Sequence, residues 1–220
     1  MTTLTPQQKA ANTHARNKFL KALKEKRELY RNDKRALAAQ IAIQIRLDEH
    51  GNENPDDYYD NGQMHWYQED WGRVKVSAET ASNFTPIGSH LAVSCPTTGC
   101  VAGWATTLAG HPMVMKFTTV KELIESYDGE AVSVGECILD DGSVMHIVDR
   151  ARELLDLTRH QSEWLFDGYN SKEQVLWALE LIVETGYFDP DVCPFDQQGN
   201  RIRDDEGNWI DENDYVEDNV

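Results

Sequence analysis

Cysteine and histidine are the residues of this chain with the most chemistry to offer. Cys95 and Cys100 lie inside Ser94 to Gly110 (SCPTTGCVAGWATTLAG), with His90, His111, Cys137 and His146 on either side. Three chemistries are open to this set. The leading one is packing: free cysteine is among the most buried residue types and behaves as a small hydrophobe. The second is zinc. His90, Cys95, Cys100 and His111 form H-x4-C-x4-C-x10-H, with Cys137 as a substitute ligand. The ligand types suit zinc, but the spacing is looser than the C-x2-4-C and H-x3-5-H pairs of a finger. The third is nucleophilic: Cys95 or Cys100 at a helix N-terminus, where the dipole favours a thiolate, with His146 or His111 as base. No third residue presents itself to orient that base. The expectation is therefore structural cysteines, with no catalytic residue, no metal and no cofactor.

The elements that must position these side chains can be read from the same stretch. His90 to Ser94 is short and apolar, and Pro96 favours extended geometry just before it and the first turn of a helix after it. Thr97 or Thr98 then caps a helix whose apolar residues Val101, Trp104, Ala105 and Leu108 share a face. Gly110 is placed to stop it. Gly99 and Gly103 let a neighbour approach the backbone closely. The predicted structural core is Cys95, Cys100, Gly103, Trp104 and Leu108.

Around this centre the periodicity predicts mostly helix. Residues 35–47 carry two conflicting signals. Leu37, Ile41 and Ile45 have helical spacing, while Ile41, Ile43, Ile45 and Leu47 alternate as in a strand. The alanines there favour helix. Gly51 to Gly62 reads as a loop, and Trp66 and Trp71 as core or interface anchors. Ala131 to Val148 reads as a hairpin turning at Asp141-Gly142, with Cys137 and His146 on opposite arms. Capping boxes at Thr119/Glu122, Thr158/Gln161 and Ser171/Gln174 open further helices. Three of the helices fall near 148–156, 159–167 and 172–185. The tail repeats itself at an eight-residue offset, Asp196 to Ile202 and Asp204 to Ile210, which suits a small hairpin. The predicted fold is mainly α with a minor β element (α+β): a long N-terminal helical arm and a compact multi-helix body with one β-hairpin. The expected units are a basic arm over 1–50, a globular body over 51–188 and an acidic tail over 189–220.

One combination of motifs resembles a known group. Gln68, Trp71 and Gly72 (Q-x-x-W-G), Cys95 to Ala105 (C-x4-C-V-A-G-W-A) and Ala151 to Phe166 (A-x-x-L-L-x-L-T…W-L-F) look like a group of small uncharacterised proteins. These are found mainly in bacteriophages and in bacterial genomes that carry phage genes. The resemblance spans roughly residues 63 to 185 and departs at Pro96, where the group more often has glycine. It implies a phage-type setting and a shared core, and no particular activity.

Charge supplies the functional signal. The chain has 220 residues and a net charge of −17, but residues 1–46 hold eleven Lys/Arg against three acids. That segment is +8 and the remainder −25. Such a split predicts a basic arm that binds an anionic surface, its own body included. Its binding residues are expected at Lys18, Lys21, Lys24, Arg27 and Arg31, with Trp209 a further anchor in the tail. The expected partner is protein: the chain itself, or a phage or host protein. Nucleic acid through the arm comes second. No apolar run approaches the ~18 residues that span a bilayer. Four cysteines without a signal peptide predict a reducing cytoplasm, that of the host cell for a phage protein, or else a virion. Walker, dinucleotide and H-E-x-x-H motifs are absent from the sequence. The reading is a non-catalytic interaction protein. The alternatives are a Cys–His hydrolase or transferase and a zinc-stabilised structural module.

Overall fold

The computed structural model describes residues 21, 24–48, 65–68, 72–93 and 98–203. Lys18, Trp71, Cys95, Trp209 and the second tail repeat lie outside these. The fold is α+β. Residues 24–32 form helix α1, and Asp33 separates it from α2 (Lys34–Leu47). The Asp33 carboxylate caps α2 by accepting from the backbone N–H groups of Arg35 and Ala36, which lack intrahelical partners. Helix α2 buries Leu37, Ala38, Ile41, Ala42 and Ile45, and leaves Ile43 and Leu47 in solvent. That explains the conflicting periods: apolar residues occupy two opposite faces of one helix, and sampled along the chain they alternate.

Helix α2 is thus part of the core, whereas residues 24–29 of α1 are exposed. The passage from peripheral to central helix comes at Asp33, within the segment expected as a single arm over 1–50. Helix α7 (Lys172–Glu184) packs along α2. Helix α3 (Val101–Leu108) packs against both α2 and α5 (Ile147–Leu155). Helix α3 is buried over six consecutive residues, Val101 to Thr106, so it is enclosed on all sides rather than on one apolar face. Cys100 occupies its N-cap position, and Thr98, one of the two expected caps, lies in a strand.

The β structure is richer than one hairpin. The first sheet has the order β1 (His65–Trp66), β5 (Thr98–Gly99), β2 (Arg73–Lys75), β7 (Ala131–Ser133), with β1 and β5 parallel. The second is antiparallel: β3 (Phe84–Ile87), β4 (His90–Val93), β6 (Met113–Met115), β8 (Glu136–Ile138), β9 (Val144–His146). The predicted hairpin is β8–β9. Its first arm is split, because the chain changes sheets at Val134–Gly135 between β7 and β8. The turn is longer than Asp-Gly alone. The Leu139 N–H donates to the Ser143 carbonyl at 2.8 Å, and Gly142 takes the left-handed φ of 82° that closes a three-residue loop.

The expected caps of α4 (Val120–Tyr127), α6 (Arg159–Leu165) and α7 are all present. Thr119 accepts from the Glu122 N–H, and Thr158/Gln161 and Ser171/Gln174 form complete capping boxes. No helix among the described residues is long and apolar enough to cross a membrane.

Candidate interaction site at the N-terminal helices

Helix α3 ends in a Schellman motif. The N–H groups of Gly110 and His111 donate to the carbonyls of Thr107 and Thr106, with Gly110 at φ 77°. The Ala109 carbonyl is left outside that pattern, and Arg31 of α1 takes it: Nε donates to it at 2.7 Å. The two terminal nitrogens of Arg31 donate to Oδ2 and Oδ1 of Asp140, in the β8–β9 turn, at 2.5 and 3.1 Å. One turn earlier, Arg27 lies across Gly110 so closely that a Cβ there would stand 2.5 Å from Arg27 Cδ. Glycine suits the position through its left-handed φ, and its missing Cβ leaves room for that side chain.

The same device recurs at two more helix ends. Asp156, in left-handed conformation at φ 52°, closes α5 and binds Lys34 Nζ at 2.9 Å. The Thr185 carbonyl at the end of α7 accepts from Arg35 Nη2 at 2.9 Å, beside Gly186 at φ 84°. Arg46 pairs with Glu180 on the side of α7. Helix C-termini carry partial negative charge, and a cation in the last turn stabilises them. Hydrogen bonds from Arg31 and from Lys34 hold the Asp140 and Asp156 carboxyls below the usual carboxylate range.

Behind Arg31 lies a buried neutral histidine. His111 is 3% exposed, and Arg150 in the first turn of α5 donates to its Nε2 at 3.0 Å. Arginine can only donate, so Nε2 accepts and the proton sits on Nδ1. There it faces the Ile138 backbone without a well-formed hydrogen bond. Burial, reinforced by the Arg150 and Arg31 charges, lowers the His111 pKa to about 4. Glu153 pairs with Arg150 at 2.8 Å. Burial also pushes the neighbouring Cys137 thiol up to about 11, which leaves almost no thiolate at neutral pH.

The predicted chemical residues are spread out. Cys100 is fully buried at the start of α3 and His111 lies past its end, so the length of that eight-residue helix, about 12 Å, stands between them. Because Arg150 meets His111, the N-terminus of α5 lies at that same far end. His146 caps α5 there, with Nδ1 accepting from the Val148 N–H, so it too is remote from Cys100. Cys137 faces Met145 across the hairpin and His146 faces Glu136, so Cys137 and His146 occupy opposite faces. In the register of β4 and β6, His90 and His111 are separated by about five strand residues, ~17 Å. Among the described residues no three His, Cys, Asp or Glu side chains gather as a metal site.

The core set fares differently. Cys100, Gly103 and Trp104 are buried, and Leu108 packs at the margin of the core. Of the predicted binding residues, Arg27 and Arg31 dock on the body, while Lys21 and Lys24 pair with Glu25 and Glu28, each four residues further on. The basic residues Lys34, Arg35 and Arg46 were not among the predicted binding residues. Nothing local singled them out, because their partners lie more than 100 residues away in the sequence.

Gln68 is a further residue whose role the sequence did not disclose. It is 1% exposed and donates to the carbonyls of Leu165 and Asp167 at 2.8 and 3.1 Å, while accepting from Trp66 Nε1 at 3.3 Å. The glutamines of both capping boxes make similar long clips, Gln161 to the Phe188 carbonyl and Gln174 to the Phe195 carbonyl. Comparison with protein-family models, curated proteins and solved structures yields no match to this chain.

Proposed function

We propose that this chain is a non-catalytic interaction protein of a phage-type setting, working through its basic N-terminal segment on acidic protein surfaces and helix ends. A second copy of the chain is the partner favoured over a virion component or a host factor. One observation carries this reading. The cations of residues 31–46 are matched to protein groups: Arg31 to Asp140 and the Ala109 carbonyl, Lys34 to Asp156, Arg35 to the Thr185 carbonyl and Arg46 to Glu180. Bidentate contact with a carboxylate and single contacts with carbonyls are the recognition chemistry of protein surfaces. The −25 balance of residues 47–220 provides more such targets on any neighbouring copy.

Removal of residues 1–30 tests the reading. Light scattering of the full and shortened chains across a concentration series is expected to show a lower association state for the shortened one, with the circular dichroism of the body retained. Duplex DNA binding near physiological salt is measured alongside. A monomeric full-length chain that binds DNA through the N-terminal segment with a steep salt slope would refute it.

A further inference from the structure

We infer that α1 is an exchangeable latch: in the associated state, Arg27 and Arg31 of one copy occupy the Gly110–Ala109–Asp140 site of another. The inference rests on the self-association reading above and names its contact. The site is built for a helix with two arginines four residues apart. Gly110 provides a surface free of Cβ for the Arg27 methylenes, the Ala109 carbonyl takes Arg31 Nε, and Asp140 takes the guanidinium in bidentate fashion. Nothing in those contacts requires that the arginines come from the same chain.

Two observations make exchange the favoured route. First, the described residues of α1 are held by polar contacts at its edge. Residues 24–29 are exposed, Leu29 at 49%, and Tyr30 alone packs partly on the core, its hydroxyl donating to Gln40. Second, the joint is a single non-helical residue with a helical hydrogen bond on either side of it. The Asp33 N–H donates to the Leu29 carbonyl at 2.9 Å, and the Leu37 N–H to the Asp33 carbonyl at 3.0 Å, both at helical i to i−4 spacing. Only Asp33, at φ −134° and ψ 98°, leaves the helix. Its carboxylate takes the Arg35 and Ala36 N–H groups at 3.0 and 3.1 Å, which a continuous helix would bond to the carbonyls of Arg31 and Asn32. Turning Asp33 into helical geometry fuses α1 and α2 into one helix over 24–47. The straightened α1 leaves its own body and can dock only on a second copy, the usual geometry of an exchanged element.

Charge reversal in two separate chains distinguishes exchange from every arrangement within one chain. Arg31→Asp and Asp140→Arg each set like charges against one another, in cis and in trans, so each variant alone is expected to lose association. Mixed in equal amounts they can form a heterodimer with two attractive sites. One site pairs the unaltered Arg31 with the unaltered Asp140, and the other pairs the two substituted side chains, again of opposite charge. Light scattering of the mixture is expected to recover the wild-type association state, with circular dichroism confirming that both variants are folded. Asp33→Ala provides the second arm. It removes the cap that exists only in the bent form, so it is expected to tighten association on the order of tenfold. Failure of the mixture to recover association that the wild type shows overturns the exchange but leaves self-association standing. So does Asp33→Ala weakening it, or either single variant associating like wild type. A wild type that stays monomeric at all concentrations overturns both.

Discussion

His111 makes the fold sensitive to mild acid in a window where few other groups titrate. In the folded chain its pKa is about 4, against 6.5 in the open, because burial and then the Arg150 and Arg31 guanidinium groups disfavour the imidazolium. Between pH 6.5 and 4 the unfolded chain therefore binds a proton that the folded chain does not. Stability is full above about pH 7 and falls as pH drops through that interval. A shift of this size corresponds to roughly 3 kcal/mol over the full window, of which about 2 kcal/mol is lost between pH 7 and pH 5. The carboxylates with lowered pKa, Asp140 and Asp156 among them, contribute in the same direction, but only as pH falls below about 5.

The assay is urea unfolding at pH 7, 6 and 5, followed by tryptophan fluorescence, for wild type and His111→Asn. With a slope on the order of 2 kcal/mol per molar urea, the wild-type midpoint should fall by about 1 M from pH 7 to pH 5. The variant begins less stable because Arg150 loses its ring acceptor, yet its midpoint should change far less over the same interval. Parallel pH profiles for the two chains would refute the argument. They would mean that His111 keeps an ordinary pKa and is not the buried neutral acceptor of Arg150.

Two further outcomes follow from the buried groups. Gln68→Ala takes the amide away from the Leu165 carbonyl and the Trp66 indole N–H, while the Asp167 carbonyl keeps the Asn170 N–H, and should cost roughly 2–3 kcal/mol in chemical denaturation; a loss under about 1 kcal/mol would mean that water replaces the amide. Cys137, fully buried with its thiol pushed up to about 11, should react with an aromatic disulfide reagent at neutral pH only at the rate of unfolding in a variant whose other three cysteines are serine, and fast reaction of that single thiol in native buffer would contradict its placement.

What could be read from the sequence depended on the range of the interaction. The capping boxes of α6 and α7 were legible because Thr158 with Gln161 and Ser171 with Gln174 satisfy one another across three residues. Gly110 was legible for the same reason: its left-handed turn closes on carbonyls three and five residues back. Strands of two or three residues such as β1, β5 and β7 carry no period of their own and exist through pairing with distant partners. The interaction site belongs to the same class. Arg31 and Asp140 are separated by 109 residues and Arg35 and Thr185 by 150, so composition could disclose an excess of cations but not their destinations. For cysteine and histidine the sequence left three chemistries open, because only the long-range fold decides that Cys100 and His111 stand at opposite ends of α3 and Cys137 and His146 on opposite faces of a sheet.

The balance between the bent and exchanged forms turns on few quantities. Deleting one exposed ion pair costs only about 0–1 kcal/mol, whereas reversing a charge at Arg31 or Asp140 sets a repulsion against both docked forms at once. The exchanged form repeats the same pairs between copies, and their contribution cancels in the comparison. Two opposing terms remain. A tether of one residue keeps α1 near its own site at an effective concentration on the order of millimolar or above, which favours the bent form. Against it stands the difference between the Asp33 cap, with its two N–H bonds, and the uninterrupted ladder of a helix over 24–47. Ionic strength enters both docked forms alike, so exchange should depend strongly on protein concentration and on residue 33 and only weakly on salt. A foreign acidic partner behaves differently. It must displace Asp140 from Arg31, and its binding should fall as salt screens the new contact. Association measured at about 0.1 M and about 1 M salt therefore separates a second copy of the chain from any other anionic partner of α1.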